Sequence, residues 1–184
     1  HHAGAAALPR AGIVHRLDKD TSGLMVVAKN LTAMTALVRA IAAREVKRVY
    51  LALAMGAVPW SEMSIEAPVG RDPGSRLRMA VVSSGKPART DVTRLGVVDS
   101  VTALRCKLHT GRTHQIRVHL SHKGFPLVGD MLYGGKAQLG MQRQALHATE
   151  LAFVHPASGE EMRFTAPMPA DMAAAWPLAD WPND

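Results

Sequence analysis

The 184-residue sequence predicts an α+β domain: a central mixed, mostly antiparallel β-sheet with flanking helices and a cleft. Three observations carry this expectation. Strand-type alternation recurs in VYLALAM and VTALRCKL, one segment has apolar residues at helical spacing, and the connections between them are short and rich in Gly and Pro. The chain is long enough for one full core and too short for two comfortable domains, so residues 1–184 read as a single domain.

Taken in order, LMVVAK (residues 24–29) is a short continuous apolar run, the pattern of a strand buried on both faces. Asn30 or Thr32 then caps a helix whose Met34, Leu37, Val38 and Ile41 share one face. The period changes at VYLALAM, where Val49, Leu51 and Leu53 point one way and Tyr50, Ala52 and Ala54 the other. Residues 59–86, rich in Gly, Pro, Ser and Arg, form a hairpin with basic turns. Residues 89–98 and 101–108 are two more strands, the second with Leu104, Cys106 and Leu108 on a buried face and Arg105 and Lys107 on a basic one. In TGRTHQIRVHLSHKG, Thr113 is the expected cap of a helix of about two turns with Ile116 and Leu120 buried. FPLVGDMLYGG is a loop, ELAFVHPASGEEMRF two strands around a turn, and PADMAAAW a closing helix with Pro169 near its start.

A formal net charge of +7 points to a polyanionic partner. The charge is also unevenly spread: residues 100–129 contain no Asp or Glu, yet carry Arg105, Lys107, Arg112, Arg117, Lys123 and four histidines. The single cysteine, Cys106, excludes an internal disulfide framework and a cysteine-based zinc site, and fits a reducing, cytoplasmic setting. No apolar run of about 18 residues occurs, so no membrane span is expected. The opening HHAGAAALPRAG lacks the layout of a signal peptide.

The chemistry-bearing stretch is HRLDKDTSG (residues 15–23). D-K-D-T matches the nucleophile motif of a haloacid-dehalogenase-type phosphatase, but no buried strand precedes Asp18 and no acidic cluster downstream offers magnesium ligands. A glycosidase needs two carboxylates flanking one bond. Asp18 and Asp20 are too close for that on a strand, though a turn can splay them; other acids such as Glu150 or Asp130 are alternative partners, and nothing in the sequence selects one. The plain alternative is that Asp18, Asp20, Thr21 and Ser22 are turn residues whose oxygens hold backbone amides. A second segment, GRTHQIRVHL, starts a helix whose free amides and arginines suit phosphate, and with Arg112 and Arg117 close together one arginine can face an anion while the other faces a carboxylate. His109, His114 and His119, five apart, do not share a helical face as metal ligands require.

Together, GIVHRLDKDTSGLMVVAKN, the VYLALA strand, GKPARTD, HTGRTHQIRVHLSHKGFPLVGDMLYGG and RQALHATELAFVHPASGEEMRFTAP resemble the RluA-type RNA pseudouridine synthases, above all the RluD and RluC types that act on large-subunit ribosomal RNA. The resemblance implies the pseudouridine synthase fold and isomerisation of specific uridines: the N-glycosidic bond breaks, the uracil turns, and carbon 5 joins the sugar. No atoms or electrons are gained or lost, so no cofactor and no metal are implied. Asp18 then matches the catalytic aspartate, Tyr50 the active-site tyrosine that packs on the base and helps move the carbon 5 proton, and Arg117 the basic residue that pairs with the aspartate. Arg16 matches an arginine that displaces the base from its stack, and Leu146 an apolar residue near the uracil. Arg112, Thr113, His114 and Gln115 belong to the expected RNA-binding surface. Ribosomal RNA is the implied partner, with the protein a cytoplasmic monomer. Relatives usually carry a leading strand with a K-P-x-G-like motif and often an S4-type RNA-binding domain; neither is in this sequence, which reads as the catalytic domain. A non-catalytic RNA-binding module and an aspartate-nucleophile hydrolase are the competing readings.

Overall fold

The computed structural model describes residues 3–177. Its elements are α1 (Ala3–Ala6), β1 (Ser22–Gly23), α2 (Leu31–Ala42), β2 (Lys47–Met55), β3 (Glu62–Glu66), β4 (Val69–Arg71), β5 (Met79–Val81), β6 (Arg89–Val98), β7 (Val101–Leu108), α3 (Gln115–His122), β8 (Leu146–Val154), β9 (Glu161–Thr165) and α4 (Ala170–Ala175). The main sheet runs β1-β8-β2-β7-β6-β3, with β9 also on β8 and the β4–β5 hairpin apart. Only the short β1–β8 pairing is parallel, so the sheet is mixed and mostly antiparallel as expected.

Strand β2 lies at the centre, paired with β7 on one side and β8 on the other. Its alternation sorts two cores. Tyr50, Ala52 and Ala54 join Leu104, Cys106 and Leu146 beneath α3, through Ile116 and Leu120. Leu51 and Leu53 join Val101, Ala103 and Met141 on the opposite face, closed by Met172 and Ala175 of α4. Each fully buried leucine contributes roughly 1.5–3 kcal/mol. Strand β7 therefore has apolar residues on both faces over its first half, and the expected basic face is confined to Arg105 and Lys107.

Three expectations change. Residues 24–29 are not a strand buried on both faces: β1 ends at Gly23, and Met25 and Val27 are exposed at the sheet margin. An apolar run of six has no period to distinguish a central strand from an edge segment. On α2, which Asn30 caps by accepting from the Ala33 N–H, only Leu37 is fully buried and Val38 faces out. Thr113 does not cap α3: the residue before the helix is His114, in the left-handed region at φ 56 and with no side-chain cap bond. Among the described residues, no helix is long and apolar enough to cross a membrane.

Candidate active site

Asp18 sits on a loop clamped from several sides. Ser22 and Gly23 lie parallel to His147 and Ala148 of β8. Gly23, at φ +112, is there because a Cβ would fall 2.1 Å from the Ala148 carbonyl oxygen. His147 donates through Nε2 to the Ala166 carbonyl (3.0 Å), leaving Nδ1 to accept from the Ser22 hydroxyl (2.9 Å). Gln144 donates to the Lys19 carbonyl (2.6 Å) and to Thr21 Oγ1 (3.2 Å). Arg143 donates to the Asp20 carbonyl (2.8 Å) while paired with Asp171. The Thr21 N–H closes the turn onto the Asp18 carbonyl (3.0 Å). Asp20 serves this turn by adopting the left-handed region (φ 69), which Asp tolerates, and not through a carboxylate–amide bond. With its backbone fixed, Asp18 holds its carboxylate in one place, 12% exposed.

Arg117 comes from α3, whose residues 115–120 are all buried. Its Nε and Nη2 donate to the two oxygens of Asp130 (2.7 and 2.9 Å), a bidentate pair with Asp130 1% exposed. The remaining Nη1 reaches Asp18 Oδ2 at 3.4 Å. The guanidinium lies 4.9 Å from the centre of the Tyr133 ring. Tyr133 accepts from the Met79 N–H (2.9 Å) and shares a hydrogen bond with His114 Nδ1 (2.6 Å). Two carboxylates share one guanidinium, which is oriented by Asp130 and left only loosely engaged with Asp18.

A cleft of about 350 Å³ opens in front of this cluster. Asp18, Tyr50, Leu146, Arg16, Arg112, His114 and Gln115 line it; Arg117 stands behind Asp18, and Thr113 is not part of the wall. Gln115 touches the cleft but its amide is spent inside the protein. Oε1 accepts from the Thr110 hydroxyl and the Arg112 N–H, and Nε2 donates to the Arg89 carbonyl and Thr90 Oγ1. It braces the loop that carries Arg112 and has no donor or acceptor left for a ligand. Arg16 is half exposed, with Nε 4.0 Å from Asp18 Oδ1. Tyr50 is 5% exposed, and burial pushes its phenol up to about 12, so it is neutral at neutral pH. A β-bulge stands beside it. Ala148 is opposite Tyr50 and Glu150 opposite Val49, so Thr149 is skipped, the kind of irregularity that re-aims a side chain.

The three evenly spaced histidines go to separate partners: His109 to Asp91, His114 to Tyr133, and His119 to Thr90 and the Ala67 carbonyl. Glu150 lies on the far face of the sheet and is no partner for Asp18. Sequence reasoning missed Asp130, Tyr133, His15 and Arg48 as site residues. Asp130 carried a signal, being the first acid after thirty residues without one. Arg48 carried another, a charge in phase with the inward-facing Tyr50, Ala52 and Ala54. His15 accepts from the Val26 N–H (3.0 Å) through Nε2, and desolvation, then Arg48, lowers its pKa to about 4.

The family described as RNA pseudouridylate synthase matches residues 5–122. The ribosomal large subunit pseudouridine synthase D of Xanthomonas campestris is 51% identical over 180 residues, covering 91% of this chain and 54% of that protein. Its namesake from Nitrosomonas europaea is 50% identical over 182 residues, covering 95% and 53%. The structure of human RNA Pseudouridylate Synthase Domain Containing 1 superposes with a TM-score of 0.73 at 33% identity, covering 89% of this chain and 72% of the other. The chain spans about half the length of the curated relatives it matches. Matched in sequence over most of its length and in fold, the chain belongs to the RNA pseudouridylate synthase family.

Proposed function

We propose that the chain isomerises uridine to pseudouridine within large-subunit ribosomal RNA, with Asp18 as the catalytic carboxylate. The observation that carries this reading is the Asp18 carboxylate itself, fixed by a clamped loop, 3.4 Å from Arg117, and facing a cleft also lined by Tyr50 and Leu146. One carboxylate suffices, because the detached base supplies the second nucleophile, its carbon 5. Asp18 assists departure of the uracil by attacking sugar or base, or by promoting an elimination. Arg117 holds and orients it, with Asp130 as the brace. Tyr50 and Leu146 sandwich a flat base, and the neutral phenol of Tyr50 acts on the carbon 5 proton through its hydroxyl without carrying a resting charge. Arg16 and Arg112, at the rim, suit phosphates and a nucleotide drawn from its stack. Relatives named ribosomal large subunit pseudouridine synthase D support the choice of RNA.

The test incubates the chain with unmodified large-subunit ribosomal RNA and maps pseudouridine by carbodiimide treatment and primer extension, alongside Asp18→Ala. New stops with the unmutated chain and none with the variant are expected. RNA binding without modification by the unmutated chain would instead make it a binding module, and release of free sugar or phosphate would make it a hydrolase.

A further inference from the structure

One buried cation has no part in this scheme. Arg48 lies two residues before Tyr50 on β2, so both project from the cleft face, and Arg48 lines the cleft at 5% exposure. Its guanidinium makes no hydrogen bond and no ion pair with any described residue, and Nε is a buried nitrogen without a partner. Asp18, which lines the cleft, faces Arg117 and Arg16, and Asp130 behind it faces Arg117. The neighbours of Arg48, His15 and Tyr50, are neutral. The loop over it is fitted to it: a Cβ at Gly111 would lie 2.7 Å from Arg48 Nη1. A guanidinium buried without an anion costs stability, and one kept in a cleft is best explained by an anion that arrives with the ligand.

Depth selects which anion. Arg16, half exposed at the rim, meets the RNA backbone first, whereas Arg48, 5% exposed, is deeper in the cleft beside the tyrosine on which the base packs. We propose that Arg48 is the counter-charge for the pyrimidine while it is anionic. This rests on the isomerase reading but not on its route. If the C1′–N1 bond breaks first, its electron pair leaves with N1 and spreads over O2 and O4. If Asp18 adds to the ring, the charge resides on O4. In both cases carbon 5 then bonds to C1′ and loses its proton, N1 gains one, and any bond Asp18 made to C1′ or to carbon 6 breaks with its electron pair returning to the carboxylate. Arg48 exchanges no proton and stabilises the charge that exists only between the two ends of the reaction.

The test compares Arg48→Met, Arg48→Gln and Arg48→Lys with the unmutated chain in single-turnover pseudouridine formation, RNA filter binding and thermal melts. Arg48→Met and Arg48→Gln should slow the chemical step by about 100-fold or more. RNA affinity should stay within about threefold, and the melting temperature should hold or rise because an unpaired charge is gone. Arg48→Lys should recover part of the rate. Unchanged turnover in Arg48→Met overturns the proposal. So does a parallel loss of RNA affinity that vanishes when the target phosphate is made a neutral methylphosphonate, which marks a backbone contact. A drop in melting temperature together with turnover, both restored by lysine, makes Arg48 a structural post and overturns it too. If the unmutated chain forms no pseudouridine, the isomerase reading fails and this inference with it; a defect-free Arg48→Met in an active chain sinks this inference alone.

Discussion

The two faces of the central sheet each bury a carboxylate among arginines, with opposite charge arithmetic. On the α4 side, Glu150 is 4% exposed and meets Lys47 (2.7 Å), Arg163 (3.2 Å) and Arg105 (3.4 Å), three cations each more than a third exposed. On the cleft side, Asp18 and Asp130 compete for Arg117, which is itself buried. Glu150 has more positive charge than it can use, and its partners keep contact with water, an arrangement that secures strands β2, β7, β8 and β9 to one another. Asp18 has only a share of Arg117 at 3.4 Å and the half-exposed Arg16 at 4.0 Å, and it stands at an open cleft. Close, surplus counter-charge describes a fastening; distant, shared counter-charge describes a group held ready to act on something else.

The widest separation of the two faces comes from neutralising each carboxylate. Asp18→Asn should reduce single-turnover pseudouridine formation by more than about 1000-fold. Its urea stability should hold or rise slightly, because Asp130 then has Arg117 to itself. A loss of several kcal/mol with activity retained would make Asp18 another fastening and erase the contrast. Next in size is Asp130→Ala, which leaves Arg117 buried with one loose partner. Breaking such a pair costs about 3–5 kcal/mol, read as a lower urea midpoint. Activity should fall as well, because Arg117 is freed to close on Asp18.

These effects also separate what could be seen in the sequence from what could not. The strands β2, β6, β7, β8 and β9 were legible because alternation and turn chemistry agree there, and α3 because Ile116 and Leu120 are four apart. Residues 24–29 carry no phase because the apolar run is continuous, and only the third dimension reveals that, among the described residues, β1 is an end strand of the sheet path and stops at Gly23. The meeting of Asp18 with Arg117, 99 positions apart, followed from the family resemblance and not from spacing. The brace Asp130 was visible as an acid but not as a partner. Whether a carboxylate in a loop faces an arginine or water depends on how the chain folds back, here through Gly135, whose N–H returns to the Asp130 carbonyl. Thr113 reads as a cap because threonine is a favoured cap residue; in the structure the left-handed His114 precedes the helix instead and turns its ring to Tyr133.

A third prediction uses acid to probe His15 on the cleft face. His15 titrates at about 4 in the folded chain against 6.5 ordinarily, through burial and then the charge of Arg48. Between these values the unfolded chain binds more protons than the folded one, so stability falls as pH falls from 6.5 toward 4. The full loss is about 3 kcal/mol, read from urea unfolding at intervals from pH 7 to 4.5. His15→Leu should flatten this part of the profile. If the slope survives in that variant, the acid sensitivity arises from other histidines that burial holds neutral, His114 of the cleft or His119 and His147 outside it.

The smallest effect belongs to the far face. Glu150→Gln removes the shared anion, yet Lys47, Arg105 and Arg163 already reach solvent and can rehydrate without rearranging the strands. The expected cost is about 1 kcal/mol, nearer that of exposed ion pairs than of a broken buried one, with pseudouridine formation unchanged. The comparison with Asp130→Ala then becomes quantitative, since both variants delete a buried carboxylate and differ chiefly in whether the cations left behind can meet water. An equal loss in the two would mean that solvent access of the partners does not distinguish the faces, and that the strands at Glu150 are held by its charge as tightly as Arg117 is held by Asp130.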